Sequence, residues 1–213
     1  MQWGALIACY FIGAIPFGLI AGKITRGIDV RQFGSGNIGA SNVLRTLGLG
    51  PALVVFFLDT AKGYVAVALC QTLGLSPWFV VGGGLLSVMG HTFSVFLRFR
   101  GGKGVATSLG VVVGLNWMVA AVAFCIWAVL VLLTRYISVG SVVAAISVPV
   151  MMHTWKPGGE AVAAPYQILV SVAALAIVLR HISNIKRLLA GKENRIGHKV
   201  MMNERRESTQ TDR

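Results

Sequence analysis

Long apolar runs constrain this chain more than any other feature of its sequence. Hydrophobic residues make up 55% of the 213 residues, and the mean hydropathy is +0.75. They concentrate in stretches near 20 residues, a length that matches the hydrocarbon thickness of a bilayer. With only 12% charged residues, the chain is too poor in charge to cover a water-facing surface. The sequence therefore predicts an all-α fold, a polytopic transmembrane helical bundle.

The apolar runs predict about seven spans. Two runs are unusual: residues 105–115 are few for a full span, and Asp59 with Lys62 interrupts the second run. We expect a short or tilted pass in the first case. In the second we expect an ion pair, because a lone charge in hydrocarbon is costly. The predicted spans are residues 2–22, 51–73, 77–97, 105–115, 117–134, 138–153 and 162–180.

Positive charge is distributed unevenly. The formal net charge is +12, and most Lys and Arg residues lie in the linkers after the first and third runs and beyond residue 180. Such clustering is typical of cytoplasmic membrane boundaries and does not indicate a nucleic-acid surface. We predict an N-terminus outside and a C-terminus in the cytoplasm. We also predict one membrane domain over residues 1–197 and a polar, disordered tail over 198–213.

The first basic linker has the composition of an anion site. It reads GSGNIGASNVLR from Gly34 to Arg45. Glycines let backbone N–H groups approach an anion, and a helix beginning near Gly39 would add the positive end of its dipole. The formal G-x-G-x-x-G match does not indicate a dinucleotide fold, because no strand precedes it. A flexible loop with topology charges is the alternative.

A second glycine-rich segment follows the third run. It extends from Gly90 to Gly104 and contains G-G-K-G around Lys103. An ammonium among glycines suits a phosphate, although the residue order differs from a Walker A loop. His91 is expected either to transfer a proton or to pack as a hydrogen-bonded histidine.

A third polar cluster ends the last run. His181 and Asn184, three apart, share a helical face among Arg180, Lys186 and Arg187. An ordinary basic stop at a membrane boundary explains the cations but requires neither His181 nor Asn184. Asp and Glu total only seven, without an H-E-x-x-H motif. We therefore expect no catalytic metal and no cofactor.

Together these segments resemble the bacterial acyl-phosphate:glycerol-3-phosphate acyltransferases, the PlsY family. The resemblance rests on the three segments above and on LDTAKG at Leu58–Gly63, and it extends to about Gly197. Ser41 stands where the pattern has threonine, which keeps a hydroxyl. Ser94 stands where the pattern has proline, which removes a φ constraint and puts the shape of that helix end in question.

The resemblance implies a seven-helix enzyme of the bacterial inner membrane with its active site facing the cytoplasm. It implies transfer of an acyl group from acyl phosphate to the 1-hydroxyl of sn-glycerol 3-phosphate. The products are lysophosphatidate and inorganic phosphate, and the reaction opens phospholipid synthesis. We further expect contact with membrane lipid, a functional link to an enzyme that makes acyl phosphate, a monomer, and no nucleic-acid partner.

The resemblance also implies which residues form the site. The expected catalytic residues are Ser35, Arg45, Lys103, His181 and Asn184. The residues expected to bind substrate are Gly34, Gly36, Asn37, Gly39, Asn42, His91, Gly101, Gly102 and Gly104. No residue is an obvious base, so His91, His181 or the substrate's own phosphate is left to take the hydroxyl proton.

Two other functions fit part of the pattern. Intramembrane charges and glycine-interrupted helices also occur in small transporters of anionic phosphorylated solutes. The lack of an inverted repeat and the clustering of the polar motifs on one side argue against that function. A non-enzymatic membrane scaffold would leave the linker from Gly34 to Arg45 without a role.

Overall fold

Helices form almost all of the regular structure. The computed structural model describes residues 1–155 and 162–197, and these two ranges contain no strand. The predicted all-helical fold is confirmed for them, while the predicted tail lies outside the described residues. Short 3₁₀ helices occur at Val30–Gln32 and Val95–Leu97. The α-helices are α1 (Gln2–Ala14), α2 (Phe17–Arg26), α3 (Ala40–Leu47), α4 (Leu49–Thr72), α5 (Pro77–Thr92), α6 (Val105–Leu115), α7 (Trp117–Thr134), α8 (Ile137–Thr154), α9 (Ala164–Arg180) and α10 (Ile182–Leu189).

Most of the predicted spans are long enough to cross a membrane. Within the described ranges five apolar helical stretches qualify, and the pair α9 and α10, bent by 48°, makes a sixth. Helix α6 has only 11 residues. At about 1.5 Å per residue it covers roughly half of a bilayer's hydrocarbon core. The exact number of spans and the side of each terminus stay predictions.

The first predicted span is a broken helix. The break falls at Ile15 and Pro16, between α1 and α2. Proline has no N–H, so carbonyl oxygens near the break lack helical partners. Ser94 donates from its hydroxyl to the carbonyl of Ala14 at 2.6 Å, and Lys62 donates from Nζ to the carbonyl of Ile15 at 3.1 Å. Side chains from two other segments therefore stabilise the break.

Ser94 keeps its helix end in the shape that proline would impose. Its φ is −63°, within the narrow range of a proline ring. Ser94 therefore has a φ that a proline at this position would also adopt. The serine adds the buried hydrogen bond to Ala14 that a proline side chain could not make.

Asp59 and Lys62 form the predicted ion pair inside the bundle. Nζ of Lys62 lies 2.8 Å from an Asp59 carboxylate oxygen and 2.8 Å from Nδ1 of His91. All three side chains are buried, with exposures of 3% or less. Of the two roles predicted for His91, this geometry supports the hydrogen-bonded packing role. The three residues join α4 to α5 beneath the linker that contains Lys103.

Replacing Lys62 with methionine should destabilise the protein, because Asp59 would keep a buried charge without its cation. Removing one partner of a buried pair typically costs about 3–5 kcal/mol. We expect Lys62→Met to lower the unfolding temperature in detergent well below that of wild type. The double variant with Asp59→Asn should recover much of the loss, because it buries no lone charge. A single variant as stable as wild type would contradict this account.

Helices α4 and α6 approach each other closely at two glycines. A Cβ on Gly63 would clash with the carbonyl of Thr107, and one on Gly110 would clash with the carbonyl of Thr60. Small residues allow such backbone contact between membrane helices. The contact holds the short helix α6, and the glycine-rich segment before it, against the centre of the bundle.

Candidate active site

Three segments that are distant in sequence meet around one open cavity. It has about 1320 Å³ of empty space, bounded by α3, the start of α6 and the bend after α9. All five expected catalytic residues line it, namely Ser35, Arg45, Lys103, His181 and Asn184. Four of the residues expected to bind substrate also line it, namely Asn37, Gly39, His91 and Gly104. The fold thus brings the predicted residues together.

The other five residues expected to bind substrate do not line the cavity: Gly34, Gly36, Asn42, Gly101 and Gly102. Asn42 is completely buried. The two hydrogens of its side-chain NH₂ are shared among the carbonyl oxygens of Val30, Phe33 and Asn37, which lie 2.8 to 3.1 Å away. Its Oδ1 accepts from the backbone N–H of Ser35 at 2.8 Å. Instead of facing a substrate, Asn42 holds the linker that places Ser35.

The glycines of these segments are needed for close packing. Gly34 has a φ of +59°, and a Cβ there would clash with Oδ1 of Asn42. A Cβ on Gly102 would clash with Nε2 of His91. Only glycine fits both positions without strain. The linker folds onto Asn42, which lies behind the cavity wall, and the G-G-K-G segment folds onto His91, which is itself part of the wall.

The first turn of α3 adds backbone donors to the site. Helix α3 begins at Ala40, which confirms the prediction of a helix starting near Gly39. Ala40 and Ser41 line the cavity, in the turn where helical N–H groups have no partner within the helix. This end of a helix favours anions. Ser41 and Arg45 both face the cavity, one turn apart, as their spacing predicts.

Arg45 and Lys103 bring positive charge into a partly enclosed space. Burial, only partly offset by Glu193, lowers the pKa of Lys103 to about 8, and nearby arginines contribute to the decrease. Burial also lowers the pKa of Arg45 from its ordinary value, but a guanidinium stays protonated at neutral pH. A phosphate group in the cavity would compensate both half-buried cations through charge-assisted hydrogen bonds.

His181 and Asn184 reach the cavity from the bend between α9 and α10. Nδ1 of His181 lies 2.8 Å from the carbonyl of Ile177 and donates to it. In the neutral ring Nε2 is then the acceptor. Asn184 is nearly buried, and its Oδ1 accepts a hydrogen bond from Nζ of Lys103. The second and third motifs are therefore in direct contact.

Glu193 is a site residue that the sequence analysis missed. It follows α10, is 7% exposed and lines the cavity. It accepts hydrogen bonds from Asn184 at 2.6 Å, from Ser138 at 2.9 Å and from Arg187 at 2.9 Å. Burial raises its pKa, but these three donors outweigh burial and lower it. Its position close to Lys192 and Arg195, among the basic residues after the last span, was the only signal in the sequence.

The segment after α10 is fastened to the corner between α7 and α8. The backbone N–H of Ile196 donates to the carbonyl of Arg135 at 2.9 Å, and Nε of Arg195 donates to the hydroxyl of Tyr136 at 2.8 Å. These contacts turn the chain back over the cavity. Glu193 is consequently enclosed in the site although it lies outside every predicted span.

Comparison with known proteins identifies the family. The family model described as glycerol-3-phosphate acyltransferase matches residues 3–191. The glycerol-3-phosphate acyltransferase of Synechococcus sp. (strain CC9902) is 48% identical over 190 residues, covering 89% of this chain and 92% of that protein. An enzyme of the same description from Thermus thermophilus is 45% identical over 199 residues, covering 93% of this chain and 96% of that protein.

Two solved structures share the fold. The crystal structure of PlsY (YgiH), an integral membrane glycerol 3-phosphate acyltransferase, matches in its glycerol 3-phosphate form with a TM-score of 0.85 at 39% identity, covering 92% of this chain and 96% of that one. Its lysophosphatidic acid form matches with a TM-score of 0.82 at 38% identity over the same shares. By sequence, by fold and by the helical membrane spans that carry its cavity, this chain belongs to the glycerol-3-phosphate acyltransferase family.

Proposed function

We propose that the protein transfers a fatty acyl group from acyl phosphate to the 1-hydroxyl of sn-glycerol 3-phosphate. The observation that carries this proposal is one cavity with two kinds of wall. Arg45, Lys103 and His181 lie on its polar side, and apolar residues of α4, α6 and α7 form its other side. The cations suit two phosphate groups, and the apolar side suits an acyl chain. The products would be lysophosphatidate and inorganic phosphate.

The reaction needs alignment more than activation, because acyl phosphate is already a mixed anhydride. The 1-hydroxyl oxygen attacks the acyl carbonyl carbon and forms the ester bond, while the bond from that carbon to the phosphate oxygen breaks. Arg45 and Lys103 hold phosphate and stabilise the charge on the leaving group. Ser35 and the amides of its linker donate to phosphate or carbonyl oxygen. His181 and Asn184 position the second phosphate.

The proton of the hydroxyl has two acceptors in this arrangement. Glu193 is already held by three donors and Asp59 is paired with Lys62. His91 is packed between Lys62, which contacts its Nδ1, and Gly102, which lies against its Nε2. The remaining acceptors are Nε2 of His181 and a phosphate oxygen of the substrate. His181→Gln separates them: a raised KM with little change in kcat assigns the proton to phosphate, and a lost kcat at constant KM assigns it to His181.

We infer that the enzyme is a multi-pass protein of the bacterial inner membrane and that its site faces the cytoplasm. The basic residues of the linkers around Arg45 and Lys103 support this orientation. A monomer is supported because a single chain supplies every predicted catalytic residue. Since acyl phosphate is reactive, an enzyme that makes it must supply it to this site through or beside the lipid. The proposed step, the first in phospholipid synthesis, uses no cofactor.

The proposal is tested by giving purified protein long-chain acyl phosphate and labelled glycerol 3-phosphate in detergent with a chelator. We expect labelled lysophosphatidate and one inorganic phosphate for each ester formed. A complete lack of labelled lysophosphatidate would refute acyl transfer, and dependence on added Mg²⁺ would refute the metal-free reaction. Uptake of glycerol 3-phosphate into proteoliposomes without acyl phosphate would instead support a transporter.

The pKa of Lys103, about 8 in the free site, predicts a basic limit to activity. Below that pH the ammonium is present and binds phosphate. Above it the free site loses the charge, so kcat/KM for glycerol 3-phosphate should fall. Lys103→Arg keeps its charge at high pH, so its profile, scaled to its own maximum, should extend further into the basic range. Superimposable profiles of the two proteins would contradict this assignment.

A further inference from the structure

The polar cavity continues into a second, apolar chamber that is partly open at the surface of the bundle. The chamber and its opening together have about 620 Å³ of empty space, between α6, α7, α8 and α9. Its lining within the described residues is hydrocarbon and aromatic apart from Ser108 and Ser141. The residues that line both spaces are Phe56, Val105, Ala106, Phe124, Trp127 and Ser141. A hydrocarbon chain can therefore extend from the polar site into the chamber without meeting a charge.

Three of the shared residues form an aromatic stack between α4 and α7. Phe56 belongs to α4, and Phe124 and Trp127 belong to α7. The ring centroids are 6.1 Å apart for Phe56 and Phe124, 6.3 Å for Phe56 and Trp127, and 5.5 Å for Phe124 and Trp127. Apart from these side chains, α4 and α7 are not closely packed against each other. Side chains alone, rather than packed helices, close this part of the bundle wall.

The stack separates neither space completely from its surroundings. Phe124 lines both the cavity and the chamber, and it is nevertheless 40% exposed. Trp127 also packs closely against α8, because a Cβ on Gly140 would come within 2.9 Å of its carbonyl oxygen and 3.0 Å of its indole ring. The tryptophan therefore has less room to move than the two phenylalanines. Phe56 and Phe124 need only side-chain rotations to open a passage.

We propose that Phe56, Phe124 and Trp127 form a lateral entrance that admits the long acyl chain from the bilayer, and that this stack decides between membrane-dissolved and water-dissolved acyl donors. The inference rests on the proposed acyl transfer. A long-chain acyl phosphate is dissolved in lipid and must bring its chain in sideways. Glycerol 3-phosphate and short-chain acyl phosphates are water-soluble, so they reach Arg45 and Lys103 through the open polar mouth.

The entrance is tested by closing it covalently. The test variant combines Phe56→Cys and Phe124→Cys with Cys125→Ser, which removes the exposed native thiol; the other native cysteines, Cys9 and Cys70, are buried. A short bifunctional thiol reagent then joins the two new cysteines. In vesicles we expect the joined protein to lose about tenfold or more in kcat/KM for a sixteen-carbon acyl phosphate. The kcat/KM for a four-carbon acyl phosphate should stay within about twofold of the value before joining.

Two controls make the result specific. In each single-cysteine protein the same reagent joins no pair, so treatment should leave the ratio of kcat/KM between the two donors unchanged. Phe11→Ala, at an exposed aromatic residue of α1 that lines neither space, should leave the preference between donors unchanged. Unchanged long-chain turnover in the joined protein would overturn the entrance, and so would an equal loss for both donors. Inactivity of the wild-type protein toward both donors in the same vesicles would refute the proposed acyl transfer itself.

Discussion

Lys103→Ala is expected to lower kcat/KM for acyl transfer by roughly 10²- to 10³-fold, as the loss of a charge-assisted contact to a transferring group does elsewhere. The variant loses a cation that faces the cavity and also the contact between Nζ and Asn184. Loss of the cation weakens the binding of phosphate. Loss of the contact frees the side chain of Asn184, which belongs to the third motif. Rates with acyl phosphate and glycerol 3-phosphate at pH about 7 measure the effect.

Arg100 is the matched control for Lys103. It lies three residues earlier in the same glycine-rich segment, is exposed and does not line the cavity. Arg100→Ala removes the same formal charge, so it should change kcat/KM by no more than about twofold if only the site matters. Equal losses in the two variants would mean that general surface charge, and not a defined site, attracts the substrates. If Lys103→Ala turned over at the wild-type rate, the proposed activity would stand but the proposed site would be wrong.

Glu193→Gln is expected to cost roughly 10- to 100-fold in kcat/KM. Its carboxylate holds Asn184, Ser138 and Arg187, and hydrogen bonds to a charged group contribute about 1.5–3 kcal/mol each. The amide of glutamine accepts with one oxygen only, so at least one of the three donors would lose its partner. Lys192→Gln, at the exposed neighbouring residue, is the control and should behave like wild type.

A readout other than rate separates positioning by Glu193 from simple loss of structure. The carboxylate of Glu193 raises the pKa of Lys103, against the larger effect of burial. Without that charge the pKa of Lys103 should fall further, so the basic limb of the kcat/KM profile should move to lower pH. An unfolding defect alone reduces the amount of active enzyme and leaves the limb in place. A lowered rate with an unmoved limb would therefore contradict the electrostatic part of this account.

The helices were largely predictable because the bilayer acts on each of them locally. A span must bury its backbone hydrogen bonds and present apolar side chains over a fixed thickness, so the predicted runs 105–115 and 117–134 have the same bounds as α6 and α7. The break after α1 was missed, because the run 2–22 is apolar throughout. Whether Pro16 bends or ends a helix there depends on which groups compensate the freed carbonyls.

The candidate site was predictable only in part. Glycines beside Arg45 and Lys103 indicated phosphate from composition and spacing alone, and the family resemblance added His181 and Asn184. The resemblance could not separate residues that face the cavity from those that hold its walls. Asn42 illustrates the difference, since its four hydrogen bonds all go to the backbone of the first linker.

By itself the sequence determined a helical membrane protein with basic, glycine-rich linkers suited to anions, because hydrophobic thickness and backbone freedom are local properties. Only the tertiary structure decided that Lys103 contacts Asn184, that Glu193 turns back into the cavity, and that aromatic rings close the wall between α4 and α7. Those outcomes depend on how separate helices pack. Packing is set by side-chain shape and by buried hydrogen bonds between residues far apart in the chain.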